Sequence, residues 1–299
     1  MTMRTSGGHF IYRGASMVKN PTSYKEQVEI LRSRNIIIDD EEFCISVLSQ
    51  LNYYRLTSYM LPFKMGDNMY SSVTFEKIYC IYEFDRKLRS LLLGVLEEIE
   101  ILLRTKIAYY HAHQYGPLGY LDSANHNKHH KPETFKDSFD KLIHKNKDNL
   151  FVKHHIDNKD SEFPIWVAVE LFPFGMLSRL YADMHSKDKK AIAKESFGVG
   201  AEQLESWLLC LSTLRNRCAH FMRLYYNNLN KWPKNIKSGD YKLRNTIFDY
   251  IYIMKYFYAN REKWKAHSIN LQALLEEYEE YIELRHIGFP DNWDEYLEN

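Results

Sequence analysis

The chain has 299 residues, 45% of them hydrophobic and 26% charged, with a formal net charge of +1. That apolar content supports a sizeable core, and the length fits one large domain or two smaller ones. There is no uninterrupted apolar run long enough to span a bilayer and no N-terminal secretion signal, so the expected location is cytoplasmic.

In chain order, the first clear element is a helix over 41–50, capped by Asp39 or Asp40, with Phe43, Val47 and Leu48 on one face. A longer helix is expected from about Thr74 to about His113, where Leu88, Leu92, Val95, Leu96, Ile99 and Leu103 keep a helical period. Within it Asp85 and Arg89 are four apart, as are Glu100 and Arg104, so each pair can meet on the helix surface. Gly116-Pro117 stops this helix. Residues 122–160 are polar and predict one short helix around Phe135 to Ile143 between mobile loops. Helical pattern resumes at Pro164 and runs to about Met184, with a kink expected at Pro173. A helix from Ala201 to about Cys218 buries Leu204, Trp207, Leu208, Leu211 and Leu214, and a final pair covers roughly 245–260 and 270–285. No glycine-rich phosphate loop, internal repeat or sustained strand alternation appears, so the expected fold is an all-α helical bundle. The four cysteines, Cys44, Cys80, Cys210 and Cys218, are widely spaced. Reduced, mostly buried thiols are expected rather than disulfides or a zinc site.

The stretch richest in chemistry is Leu214-Arg215-Asn216-Arg217-Cys218-Ala219-His220. Arginine supplies a permanent cation with a planar fork that fits phosphate oxygens. Histidine exchanges a proton near neutral pH. Cleaving a phosphodiester with its own 2′-hydroxyl needs a base, an acid and positive charge on the phosphorane, and no metal. On a straight helix, residues five apart sit about 140° apart around the axis, so Arg215 and His220 point to different places. Either the helix bends or ends near Cys218, or two copies of the motif face each other across a dimer axis. Arg223, one turn beyond His220 on the same face, is a candidate for extra phosphate charge.

The segment from Arg223 to Arg244 holds six basic residues against one acid, whereas Glu276 to Asn299 holds nine acids against one base. Lys231, Trp232, Lys234 and Lys237 in that basic segment are candidate RNA contacts, and Tyr225, Tyr226 and Tyr241 add flat faces for stacking. The alternatives are a solvated loop with core-anchored aromatics, or docking on the acidic C-terminal segment. For Asn52-Tyr53-Tyr54-Arg55 the favoured reading is structural, with both tyrosines packed under the bundle and Arg55 paired with an acid. His126, His129, His130, His154 and His155 sit in polar segments without a cysteine or carboxylate framework, so no metal and no cofactor is expected.

The spacing R-N-x-x-x-H resembles the signature of HEPN ribonucleases, and its setting, RNRCAHFMRLYYN, resembles the abortive-infection (Abi-like, AbiD/AbiF-type) proteins of bacteria. Further blocks share the likeness in family order. They are Pro21-Thr22-Ser23-Tyr24, Leu51 to Leu56, Tyr82 to Arg89, Ile99-Glu100 with Arg104-Thr105, Pro164 to Tyr181, and Gly288-Phe289-Pro290 with Trp293. Together they cover roughly residues 20–297, leaving 1–16 as an extension. The resemblance implies one domain over 17–299, with a HEPN-like core at about 74–260 and added N- and C-terminal helices. It also implies His220 as acid/base, Arg215 as phosphate binder and Asn216 as an orienting or RNA-contacting residue. The implied activity is a metal-independent endoribonuclease in anti-phage defence, working as a homodimer and regulated by RNA. The alternative is a non-catalytic RNA-binding protein that forms a complex with a small structured RNA.

Overall fold

The computed structural model describes residues 20–236 and 241–298. Among them, 13 α-helices account for the fold and only 4% of residues are in strands, so the protein is all-α. In chain order these are α1 (Tyr24–Ser33), α2 (Glu41–Gln50), α3 (Tyr53–Thr57), α4 (Phe75–Tyr115), α5 (Pro132–Lys145), α6 (Leu150–Asn158) and α7 (Ile165–Leu171). There follow α8 (Phe174–Asp183), α9 (Ser186–Phe197), α10 (Ala201–Ala219), α11 (Ile247–Met254), α12 (Arg261–Glu277) and α13 (Trp293–Glu298). Two minimal strand pairs join the N-terminal part. Ile36–Ile37 runs parallel to Val73–Thr74, and Lys64–Gly66 runs antiparallel to Met69–Tyr70. No helix among the described residues is long and apolar enough to cross a membrane.

The 41-residue α4 is the spine. Thr74 starts it by accepting the Lys77 amide, and its buried positions recur at helical spacing from Phe75 to His111. α7, α8, α9, α10 and α12 all pack on it. α10 lies between α4, α8 and α9, and its stripe of Leu204, Trp207, Leu208, Leu211 and Leu214 is fully buried.

Several sequence expectations need correction. Of the two expected capping residues, Asp40 is the one that caps α2, by accepting the Phe43 amide. The polar stretch 122–160 forms two helices, α5 and α6, where one is expected. Proline disfavours helical geometry in the residue before it, so Phe172 is extended and Pro173 separates α7 from α8 instead of kinking one helix. The second helix of the final pair is Arg261–Glu277, not 270–285, because Asn260 caps it by accepting the Glu262 and Lys263 amides. Asp85 and Arg89 do pair, but inside the protein, with side chains 0% and 5% exposed. His126 and His130 are buried and stacked at 4.0 Å, rather than exposed in a mobile segment.

The C-terminal segment closes on α11 through a steric match. Gly288 has φ +82°, and a Cβ there would sit 2.2 Å from the Thr246 side chain, which caps α11. Only glycine fits both constraints.

Asp85 ties distant parts of the chain together. Its carboxylate accepts the Tyr59 hydroxyl at 2.7 Å, the Leu224 amide at 3.0 Å, the Tyr225 amide at 2.8 Å, and the Arg89 guanidinium. Burial pushes this carboxyl up, against the pull of Arg89, Tyr59 and the two amides. Replacing Asp85 by Ala strands all of these donors, and the expected cost is about 3–5 kcal/mol. Tyr59→Phe removes one charge-assisted bond and should cost about 1.5–3 kcal/mol. Urea unfolding of both variants checks the order.

Three histidines are held neutral. Burial, with help from His126, pushes His111 down from 6.5 to about 4, and neither ring nitrogen has a hydrogen-bond partner among the described residues. His126 and His286 are also pushed down, chiefly by burial. Below pH 6.5 the unfolded chain therefore binds protons that the folded chain refuses, and stability falls with pH, for His111 down to about 4. The slope is at most about 1.4 kcal/mol per pH unit for each such histidine. Urea midpoints measured across this range should drop on acidification, and His111→Phe should flatten the drop.

Candidate active site

The motif lies at the C-terminal end of α10. The helix stops at Ala219, His220 is its cap at φ −95° and ψ 15°, and Phe221 turns left-handed at φ +57°. The Phe221 amide donates to the Cys218 carbonyl at 3.1 Å and the Met222 amide to the Arg217 carbonyl at 2.9 Å. This is the Schellman pattern, with phenylalanine where glycine is usual. A non-glycine residue in this region costs roughly 1–2 kcal/mol. Arg55 from α3 holds the turn by donating to the Phe221 carbonyl at 2.8 Å.

The helix does end close to Cys218, one of the two expected solutions, but without a bend. The His220 amide still donates to the Asn216 carbonyl at 2.9 Å, so His220 keeps its helical register. It falls on the outward stripe of Leu209, Thr213 and Asn216. Asn216 and His220 are exposed, and neither side chain has a hydrogen-bond or ionic partner among the described residues.

Arg215 faces α4 instead. Its Nε lies 3.5 Å from the Glu100 carboxylate, which also accepts Arg104 at 2.7 Å. Arg104 in turn donates to the Glu170 and Phe172 carbonyls at 3.1 Å each. Both carbonyls lie at the C-terminal end of α7, where Pro173 stops the helix. The break therefore anchors Arg104, Arg104 anchors Glu100, and Glu100 holds Arg215. The Nη groups of Arg215 have no partner among the described residues, and the side chain is 37% exposed. The sequence gives the Glu100/Arg104 spacing but no sign of Glu100 reaching Arg215.

Beyond His220 the chain doubles back along α10. Asp85 captures the Leu224 and Tyr225 amides, and the Tyr225 hydroxyl bonds His286 at 2.8 Å and the Glu283 amide at 2.9 Å. Arg217 then meets Asn230 at 3.2 Å, Ser206 donates to the Trp232 carbonyl, Trp207 to the Lys234 carbonyl and Gln203 to the Asn235 carbonyl. Ser206 stands 14 residues before His220, about 21 Å along the helix axis. Trp232, 65% exposed, and Lys231 thus lie toward the far end of α10 from the motif.

This path corrects several expectations. Arg223 is not on a helix beyond His220. It is half-buried, donates to the Ser58 carbonyl, and burial pushes its pKa down. Tyr225 and Tyr241 belong to the core, leaving Tyr226 and Trp232 as the exposed rings. Lys234 pairs with Glu202 of α10, not with the acidic C-terminal segment. Lys237 lies outside the described residues. At the N-terminal cluster, Tyr54 is 85% exposed rather than packed, and Arg55 binds a carbonyl rather than an acid.

Burial pushes the Cys218 thiol up to about 12, which leaves it a poor nucleophile. Among the described residues, no group of three or more His, Cys, Asp or Glu side chains is placed to hold a metal ion.

An all-α protein with an arginine, asparagine and histidine at the end of a buried helix is the class these features define. The sequence matches the Abi-like protein family over residues 46–226, more than half of the chain, and the chain belongs to that family. The matched span contains Arg55, Asp85, Glu100, Arg104 and the whole 215–220 motif, and it ends just after the two amides that Asp85 binds. Neither the curated proteins nor the solved structures yield a match.

The left-handed turn gives a direct stability test. Phe221 is 65% exposed, so replacing it loses little buried area. Phe221→Gly should raise stability by up to about 1 kcal/mol by removing the left-handed cost. A clear loss of stability in urea unfolding would show that the ring itself supports the turn.

Proposed function

We propose that this chain is a metal-independent endoribonuclease of the HEPN type that acts in bacterial abortive infection. The observation that carries this reading is the state of the motif. Arg215 is paired at Nε with Glu100, and among the described residues its Nη groups and the exposed Asn216 and His220 side chains have no partner. These polar groups are open to a ligand rather than taken up by the fold. Membership of the Abi-like family supports the setting.

In the proposed reaction, a neutral His220 imidazole takes the proton of an RNA 2′-hydroxyl. The 2′ oxygen forms a bond to the adjacent phosphorus, and the bond from phosphorus to the 5′ oxygen breaks. A protonated imidazole returns a proton to that leaving oxygen. Arg215 bears part of the negative charge that builds on the phosphorane. The products are a 2′,3′-cyclic phosphate and a 5′-hydroxyl, with no metal or other co-reactant consumed.

The reaction needs a proton acceptor at the 2′-hydroxyl and a proton donor at the 5′ oxygen, and a second copy of His220 would supply the complementary group. Arg215 and His220 also diverge on α10. Both points favour a homodimer with the motifs facing one cleft. Exposed Leu209 and Met222 beside Asn216 and His220 offer apolar surface for that contact.

His220→Ala and Arg215→Ala should each lower RNA cleavage by about 10²–10⁴ while leaving the helical signal intact. Cleavage by the unaltered protein should survive a chelator. Co-expressing the two inactive variants should restore part of the activity if the cleft is shared. Unaltered cleavage by both variants overturns the assignment. RNA binding without cleavage under any divalent-ion condition would favour the non-catalytic RNA-binding alternative.

A further inference from the structure

Beside the motif, between the N-terminal helices, α4 and the turn after α10, opens a cavity of about 530 Å³. Such a volume lies within the ~300–1,000 Å³ of small-ligand sites. Three guanidinium groups line it, from Arg55, Arg86 and Arg89. No carboxylate does. Glu83 and Asp85 hold Arg86 and Arg89 from outside the lining, and each arginine keeps nitrogen atoms that no group among the described residues uses. Among the described residues, Arg55 is engaged only through Nη1, on the Phe221 carbonyl; Arg86 leaves Nη1 free; and Arg89 is bound only through Nη1, by Asp85 and Tyr59. Arg89 is 4% exposed, so its charge is set in the wall rather than swinging in solvent. The rest of the lining includes Leu51, Leu93 and the exposed ring of Phe221.

Unengaged guanidinium nitrogens beside an apolar wall and a flat ring match the two halves of a nucleotide: phosphate oxygens and a base. Phe221, one wall of the cavity, directly follows His220 in the chain. We propose that this cavity seats one nucleotide of a single-stranded RNA next to the phosphodiester that is cut. Its phosphate lies on Arg55, Arg86 and Arg89, and its base stacks on Phe221. The proposal rests on the endoribonuclease reading for its substrate class. It also gives the Arg55–Phe221 contact a second consequence. By holding the left-handed turn, Arg55 keeps the stacking ring at the cavity rim.

The test measures binding of a fluorescein-labelled single-stranded oligoribonucleotide of mixed sequence by fluorescence anisotropy, in the His220→Ala protein so that nothing is cut. Arg86 is exposed and its pair with Glu83 is a surface contact, so Arg86→Gln should fold normally. It should weaken binding and lower the log–log salt slope by about 0.7, the value for one lost phosphate contact on a single strand. Phe221→Leu keeps the left-handed cost but removes the flat face. It should weaken binding at least about fivefold with little change in slope. Arg179→Gln, on α8 outside the cavity lining, serves as the control. If Arg86→Gln and Phe221→Leu bind no more weakly than the control while the unaltered chain cleaves RNA and His220→Ala does not, the cavity proposal falls and the catalytic reading stands. If both variants lose binding as stated but the unaltered chain cleaves nothing, the cavity stands as an RNA site and the catalytic reading falls. No binding by the His220→Ala protein, alone or in combination, overturns the cavity proposal outright.

Discussion

The arrangement of the motif depends on one buried carboxylate. A helix end such as that of α10 leaves carbonyls unpaired, and the chain that follows must find partners for its own amides. Asp85 supplies them. It sits in the first third of α4, accepts the Leu224 and Tyr225 amides, and is itself balanced by Arg89 and Tyr59. An unpaired charge at this depth would be prohibitive, and unpaired amides there would be costly. Joined, they fix where the chain goes after His220, and with it how far the imidazole stands from the core.

Two further devices set the motif's side chains, and both start from a local break in regular structure. Pro173 ends α7, and the free carbonyls there bind Arg104, which orients Glu100 and so Arg215. The left-handed Phe221 ends α10 and presents His220 at the rim. Regular helices alone would satisfy their own backbone groups and leave nothing to orient these arginines. The polar order at this end of the bundle is therefore made from the groups that helix termination releases.

The helical periodicity of α4 and α10 was readable because both bury long stripes of large apolar residues, from Phe75 to Ile107 and from Leu204 to Leu214. α9 was not, because it offers only Ile192, Ala193 and Phe197 to the core in an otherwise charged run. Spacing identified the Asp85/Arg89 and Glu100/Arg104 pairs, since four residues make one helical turn. It carried no information on depth, so a buried hub looked like a surface ion pair. The link from Glu100 to Arg215, and those from Arg55 to Phe221 and from Arg223 to Ser58, join residues more than a hundred positions apart, which no local pattern encodes. The same holds for Tyr225. Its composition suggested a stacking face, and its hydroxyl's partners 58 and 61 residues later put it in the core.

Those separations bear on the order in which the molecule is completed. Asp85 meets its amides 139 and 140 residues further on, and Arg55 meets Phe221 after 166. Contacts of such long range form late, because the loop entropy is lost before they return any stabilisation. On a ribosome, α4 emerges and pairs Asp85 with Arg89 while the residues around His220 are still unmade. The turn closes only after Leu224 and Tyr225 arrive, and Tyr225 gains its own hydroxyl partners only with Glu283 and His286. The sequence order thus delays completion of the histidine end of α10 until Glu283 and His286 have been synthesised. A nascent chain released early would carry the motif's residues without the geometry that arranges them.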